Sequence, residues 1–97
     1  MSYQTVLHAD QRLVILRTLA EMNGYQANES ILQTVLDRYG HNISRDLTVS
    51  HMQFLKEQGL ISLEDVGGIQ VATLNSRGED VAAGRASVAG VKRPSAK

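Results

Sequence analysis

The sequence predicts an α+β domain of three helices, a β-hairpin and a short fourth helix. Apolar residues recur at helical spacing from position 8 to position 58, the period of helices with a buried face. After Gly59 the spacing changes to short β-branched runs on either side of Gly67-Gly68, the signature of a hairpin. A length of 97 residues, 42% of them hydrophobic and 21% charged, suits one core and argues against disorder.

The first helix spans about 8–22. On a helical wheel Ala9, Leu13, Ile15, Leu16, Leu19, Ala20 and Met22 fill one half. Asp10, Gln11, Arg17, Thr18 and Glu21 fill the other, with Arg12 intruding on the apolar half and Val14 on the polar one. An apolar arc this broad exceeds the single stripe of a surface helix. It predicts a central helix packed by two neighbours, or one with a surplus around Leu7, Val14 and Ile15 that meets a second subunit. Asn23-Gly24 ends it.

The second helix spans 29–39, with Ile31, Leu32, Val35, Leu36 and Tyr39 on one face and Gly40 as its stop. Asn28 or Ser30 caps it, and Ser30 with Gln33 has capping-box spacing. The third spans 45–58, capped by Ser44. It turns Leu47, Thr48, His51, Met52 and Leu55 to a core, and Arg45, Asp46, Val49, Ser50, Gln53, Lys56 and Glu57 outward. Runs 60–64 and 69–74 form the hairpin. Asn75 or Ser76 caps a last short helix that carries little apolar material and contains Gly78, so it must lean on the core. Residues 1–86 read as the domain. Residues 87–97, small and ending in Lys92, Arg93 and Lys97, read as a flexible basic tail.

The stretch Thr48-Val49-Ser50-His51-Met52-Gln53-Phe54-Leu55-Lys56-Glu57-Gln58-Gly59-Leu60-Ile61 resembles the recognition helix and first wing strand of bacterial winged-helix repressors of the arsenic-repressor and multiple-antibiotic-resistance-repressor types. Leu74-Asn75-Ser76-Arg77-Gly78 is similar to the Leu-Thr-x-x-Gly segment that follows their wing. The ending Gly84-Arg85, then Val88-Ala89-Gly90-Val91-Lys92-Arg93-Pro94, is similar to that of small winged-helix proteins of Mu-like phages and prophages. The resemblance implies a winged helix-turn-helix, duplex DNA as partner, and a phage- or prophage-type transcriptional regulator with the third helix in the major groove. It implies contacts from Val49 to a thymine methyl, Ser50 and Gln53 to base edges, and Arg45 to phosphate or guanine. Lys56, Arg77, Lys92 and Arg93 complete the expected DNA-binding set.

Charge pulls the other way. Ten Lys and Arg balance ten Asp and Glu, so no overall field attracts nucleic acid. The outer face of the third helix is neutral, and the hairpin tip, Glu64-Asp65-Val66-Gly67-Gly68, lacks the cation such repressors carry there. Positive charge gathers only in 75–97, with five cations to two acids. The alternative is therefore a winged helix that contacts protein, as a phage assembly or packaging accessory.

Catalysis, metal and cofactor binding are not expected. There is no cysteine for a thiolate site. His8, His41 and His51 lie on three different elements with no His-Glu-x-x-His spacing. His51 reads as a hydrogen-bonded structural histidine, and Ser50 beside it cannot face it. No small-molecule effector is identifiable. No apolar run is long enough to cross a bilayer, and the first residues do not read as a signal peptide, so the expected location is cytoplasmic.

Overall fold

The computed structural model describes residues 2–94. Its elements are α1 (Tyr3–Glu21), β1 (Gln26–Asn28), α2 (Glu29–Arg38), α3 (Arg45–Glu57), β2 (Ile61–Val66), β3 (Ile69–Leu74) and α4 (Ser76–Ala83), with a 3-10 turn at Asn23–Tyr25 between α1 and β1. This is an α+β fold of four α-helices and one antiparallel sheet in the order β1-β3-β2.

Each helix is closed at its start by a short polar side chain. Ser2, Asn28, Ser44 and Asn75 accept from the N–H of Thr5, Ile31, Leu47 and Gly78, each satisfying a donor the helix cannot. Of the two caps considered for α2 and for α4, the asparagine serves in both. The Ser2 cap also explains why α1 starts five residues before the expected position 8. That extra turn is exposed, so no apolar periodicity announces it.

Ile15, Leu16, Leu19, Leu32, Leu36, Met52, Leu55 and Leu60 form the centre of the core. α1 crosses it, touching α2, α3, β3 and α4, which accounts for its wide apolar arc. Ile15 is 0% exposed, so it is unavailable to a second subunit, contrary to the expectation built on it. On α2 only Leu32 and Leu36 of the predicted face are buried, while Ile31 and Tyr39 are exposed, because α2 meets its neighbours along a narrower stripe.

The hairpin has the expected register, with Val66 opposite Ile69 across Gly67-Gly68. Both glycines have positive φ, 61° and 86°, as a two-residue turn matched to strand twist requires. The strand the periodicity does not reveal is β1. Its three residues pair with β3, setting Ala27 against Ala72, a small buried pair that lets the turn after α1 lie close to the sheet.

Residues 84–94 are laid back on α1. The backbone N–H of Lys92 donates to the Ala9 carbonyl at 3.1 Å, Val91 is buried in the core, and Val88 packs against it. The part of the tail that lies in 95–97, with Lys97, falls outside the described residues.

Candidate nucleic-acid interface

The capped start of α3 and its buried side fix which edge of the helix remains open. With Thr48, His51, Met52 and Leu55 buried, the 3.6-residue period leaves Ser50, Gln53 and Lys56 exposed and Val49 half-buried at the margin. No side-chain hydrogen bond or ion pair occupies Ser50, Gln53 or Lys56 among the described residues.

Arg45 is held differently. Its Nε donates to Gln33 Oε1 at 2.7 Å and its guanidinium lies 3.5 Å from Glu29 Oε1. Glu29, buried, accepts the Gln70 N–H on its other oxygen at 2.7 Å. Arg45 thus ties the start of α3 to α2 and, through Glu29, to β3. The remaining predicted cations stand elsewhere. Arg77 is exposed on α4, which packs on α1. Lys92 lies 3.4 Å from Asp10, and Arg93 is exposed beside it. Five of the eight expected residues share the α3 edge, and three do not.

Behind α3 runs a polar chain that the sequence did not reveal. Gln11, assigned to the polar half of the wheel, is 3% exposed, and it sits between two histidines. Arg12 Nε has only a proton to offer, so His51 Nδ1 accepts it at 3.1 Å. His51 Nε2–H then donates to Gln11 Oε1 at 2.7 Å. The Gln11 amide donates to His41 Nδ1 at 3.3 Å, and His41 Nε2–H donates to Asp10 Oδ2 at 2.6 Å. Every donor has an acceptor, and no buried side-chain polar atom is left unpaired among the described residues. The His8 and His51 rings meet in a T-shaped arrangement, 5.1 Å between centroids.

Arg12, the intruder on the apolar half, belongs to this chain. Its guanidinium stacks 3.8 Å over the Phe54 ring, a cation–π contact, and donates to the Gly90 carbonyl at 3.0 Å. α1, the α2–α3 turn, α3 and the C-terminal loop are thereby joined. Burial, with the Arg12 charge adding to it, pushes His51 from 6.5 down to about 4, so the ring is neutral. At Asp10 burial favours the acid form. Hydrogen bonds from His41 and Lys92, with their charges, outweigh it and hold the carboxyl below its ordinary value. Among the described residues no group of three or more His, Asp or Glu is placed to hold a metal ion.

The hairpin presents a different surface. Ser62, Glu64 and Val66 alternate with Ile61 and Leu63 along β2, and their cross-strand partners are Thr73, Val71 and Ile69. The sheet face away from the core therefore ends in Val66, 54% exposed, beside Ile69, next to Glu64 and Asp65.

A small α+β domain with one open helix edge and an acidic hairpin is the class these features define. The chain belongs to the family of a phage Mu protein. It is 57% identical over 89 residues to uncharacterized protein gp26 of Escherichia phage Mu, across 92% of each chain. It is also 50% identical over 78 residues to an uncharacterized protein of Haemophilus influenzae strain Rd, covering 79% of this chain and 76% of that one. No family model matches the sequence. No helix of the described residues is long and apolar enough to cross a membrane.

Proposed function

We propose that this phage-type protein is a winged helix-turn-helix domain that binds duplex DNA, inserting α3 into the major groove, and that it acts as a transcriptional regulator. The observation that carries the reading is the open edge of α3. Ser50 and Gln53 are free to donate and accept at base edges, Val49 offers a methyl surface, and Lys56 extends the same edge. The α2–turn–α3 order and the hairpin after α3 support it, since a recognition helix needs a scaffold that holds one face while leaving the other clear. Arg45 serves here as the fastening of α3 to α2, and Lys56, Lys92 and Arg93 are the phosphate-contacting candidates.

Three phosphate contacts give a slope of log affinity on log salt of about −2.7, or a loss of about 40-fold between about 50 and 200 mM salt. Titration against random duplex DNA at those two concentrations tests this, with Arg93→Ala expected to shallow the slope by about one. Absence of binding at the lower salt refutes the DNA reading.

The hairpin favours a second reading. An acidic tip repels phosphate, while exposed Val66 and Ile69 beside Glu64 and Asp65 suit a protein surface of basic and apolar character. In that reading the domain is a protein-interaction module of phage assembly or packaging. Neither reading involves catalysis.

A further inference from the structure

We propose that the Arg12 guanidinium, carried by α1 but seated on the flank of α3, contacts a backbone phosphate of the duplex whose bases α3 reads. The contact presupposes the DNA-binding reading and deepens it, by naming a ligand for a cation that reading leaves aside. Arg12 is held by an imidazole nitrogen, a carbonyl oxygen and an aromatic ring. His51 Nδ1 lies at 3.1 Å, the Gly90 oxygen at 3.0 Å and the Phe54 ring centre at 3.8 Å. None of the three carries a negative charge, since burial keeps His51 neutral. Arg45, Arg85 and Lys92 each lie against a carboxylate, of Glu29, Asp80 and Asp10. No carboxylate pairs with Arg12 among the described residues. The guanidinium is thus oriented without being neutralised. Partial burial disfavours its charge and draws its pKa below the ordinary value, a cost that a bound anion would offset. Its Nη2 makes no hydrogen bond among the described residues, and the side chain is only half-buried, so the fork retains donors for an anion.

The position suits a groove walled on both sides by phosphate. At about 100° per residue, Phe54 and Lys56 stand about 160° apart around α3, with Ser50 and Gln53 on the arc between them. Arg12 over Phe54 and Lys56 itself therefore set one cation on each side of the open edge. A helix with its side chains is about 10–12 Å across and the major groove about 12 Å wide. A helix seated there brings both flanks toward the two phosphate strands. Asp46 and Glu57 are exposed at the two ends of the same face, so attraction to phosphate has to come from its sides. Arginine fits the place because its planar fork lies flat on a ring while its in-plane N–H groups reach phosphate oxygens.

With Arg12 as a fourth contact, the slope of log affinity on log salt steepens from about −2.7 to about −3.6, a loss of about 150-fold rather than about 40-fold between about 50 and 200 mM salt. Fluorescence anisotropy with a labelled random duplex measures this slope for the unaltered chain, Arg12→Gln and Arg12→Lys, each at a temperature where it is fully folded. Arg12→Gln is expected to shallow the slope by about 0.9, and Arg12→Lys, which keeps the charge, to leave it steep. Loss of a purely structural tie would lower stability or affinity without changing the number of phosphates neutralised. A second measurement needs no variant. The Arg12 Nε–H signal of the unaltered, nitrogen-15-labelled chain is expected to move as duplex is added, while that of Arg85, tied to Asp80 of α4, stays in place. No binding by the unaltered chain at the lower salt refutes the DNA reading and this contact together. Binding with an undiminished slope in Arg12→Gln, a slope in Arg12→Lys as shallow as in Arg12→Gln, or an Arg12 signal unmoved by bound duplex overturns this contact alone.

Discussion

Replacing Gly78 with alanine is expected to destabilise the domain, although Gly→Ala inside a helix ordinarily stabilises by about 1 kcal/mol. Gly78 is buried in the first turn of α4, with its N–H donating to Asn75 Oδ1 at 2.8 Å. A Cβ there meets the Leu60 carbonyl oxygen at 2.2 Å and Leu74 Cδ1 at 2.5 Å. Carbon normally approaches a carbonyl oxygen no closer than about 3.3 Å, so something must move by about 1 Å. The Leu74 methyl can rotate away. The Leu60 carbonyl cannot move freely, because it accepts the Asn75 N–H at 3.2 Å and so fixes the entry to α4. Overpacking of this kind costs about 1–3 kcal/mol, and more when backbone is displaced. Taking the upper end and subtracting the propensity gain leaves a net loss of about 2 kcal/mol. At about 4–8 °C per kcal/mol for a domain of this size, Tm falls by about 8–16 °C. Urea unfolding followed by circular dichroism reads the loss as a lower midpoint at unchanged m. A midpoint equal to or above the unaltered chain's would refute the close seating of α4 on Leu60.

The polar chain behind α3 yields further expectations. His51 has a folded pKa near 4 against 6.5 unfolded, so the unfolded chain takes up the proton first as pH falls. The associated stability is complete above about pH 6.5 and lost progressively toward pH 4, up to about 3 kcal/mol in all. Urea midpoints across that window are expected to slope less in His51→Gln, and an identical slope in both proteins would exclude His51 as the source. Arg12→Met retains an apolar stem over Phe54 but removes the donors to His51 and Gly90. It is expected to cost about 1.5–3 kcal/mol and to speed amide exchange at Lys92, whose N–H is bonded to Ala9. Unchanged exchange there would mean that Arg12 does not hold the C-terminal loop.

What the sequence disclosed, and what it withheld, follows from where each feature gets its stability. α2, α3 and the hairpin are legible because their signals are local: capping asparagine and serine, apolar spacing, and a Gly-Gly turn between β-branched runs. The same spacing located the open edge of α3, with Ser50, Gln53 and Lys56 outward. β1 was not legible. Gln26-Ala27-Asn28 has no alternation of its own and becomes a strand only because β3 offers its free edge. Nor could the wheel place Gln11, whose burial depends on two histidines 30 and 40 residues away. Arg12 on the apolar half of α1 and His51 on the core side of α3 were the available signs that a polar network lay behind α3. Lys92 shows the complementary failure. Small residues around a lysine and an arginine look solvated, yet Val91 buries itself and draws the neighbouring backbone onto α1.

That last contact has a kinetic consequence. The bond from Arg12 to Gly90 spans 78 residues, among the largest sequence separations the fold contains. As synthesis proceeds, Asp10 gains His41 and Arg12 gains His51 and Phe54 by mid-chain, whereas the bonds that Gly90 and Lys92 make to α1 must wait for the C-terminal loop. A nascent chain that already holds α1, α2, α3 and the sheet has the caps of its first three helices in place but still shows water the surface that Val91 will cover. Closing so long a loop is slow relative to forming the hairpin. The clasp on α1 is therefore a late contact, and until it closes the surface that Val91 covers stays open to proteases and to wrong partners.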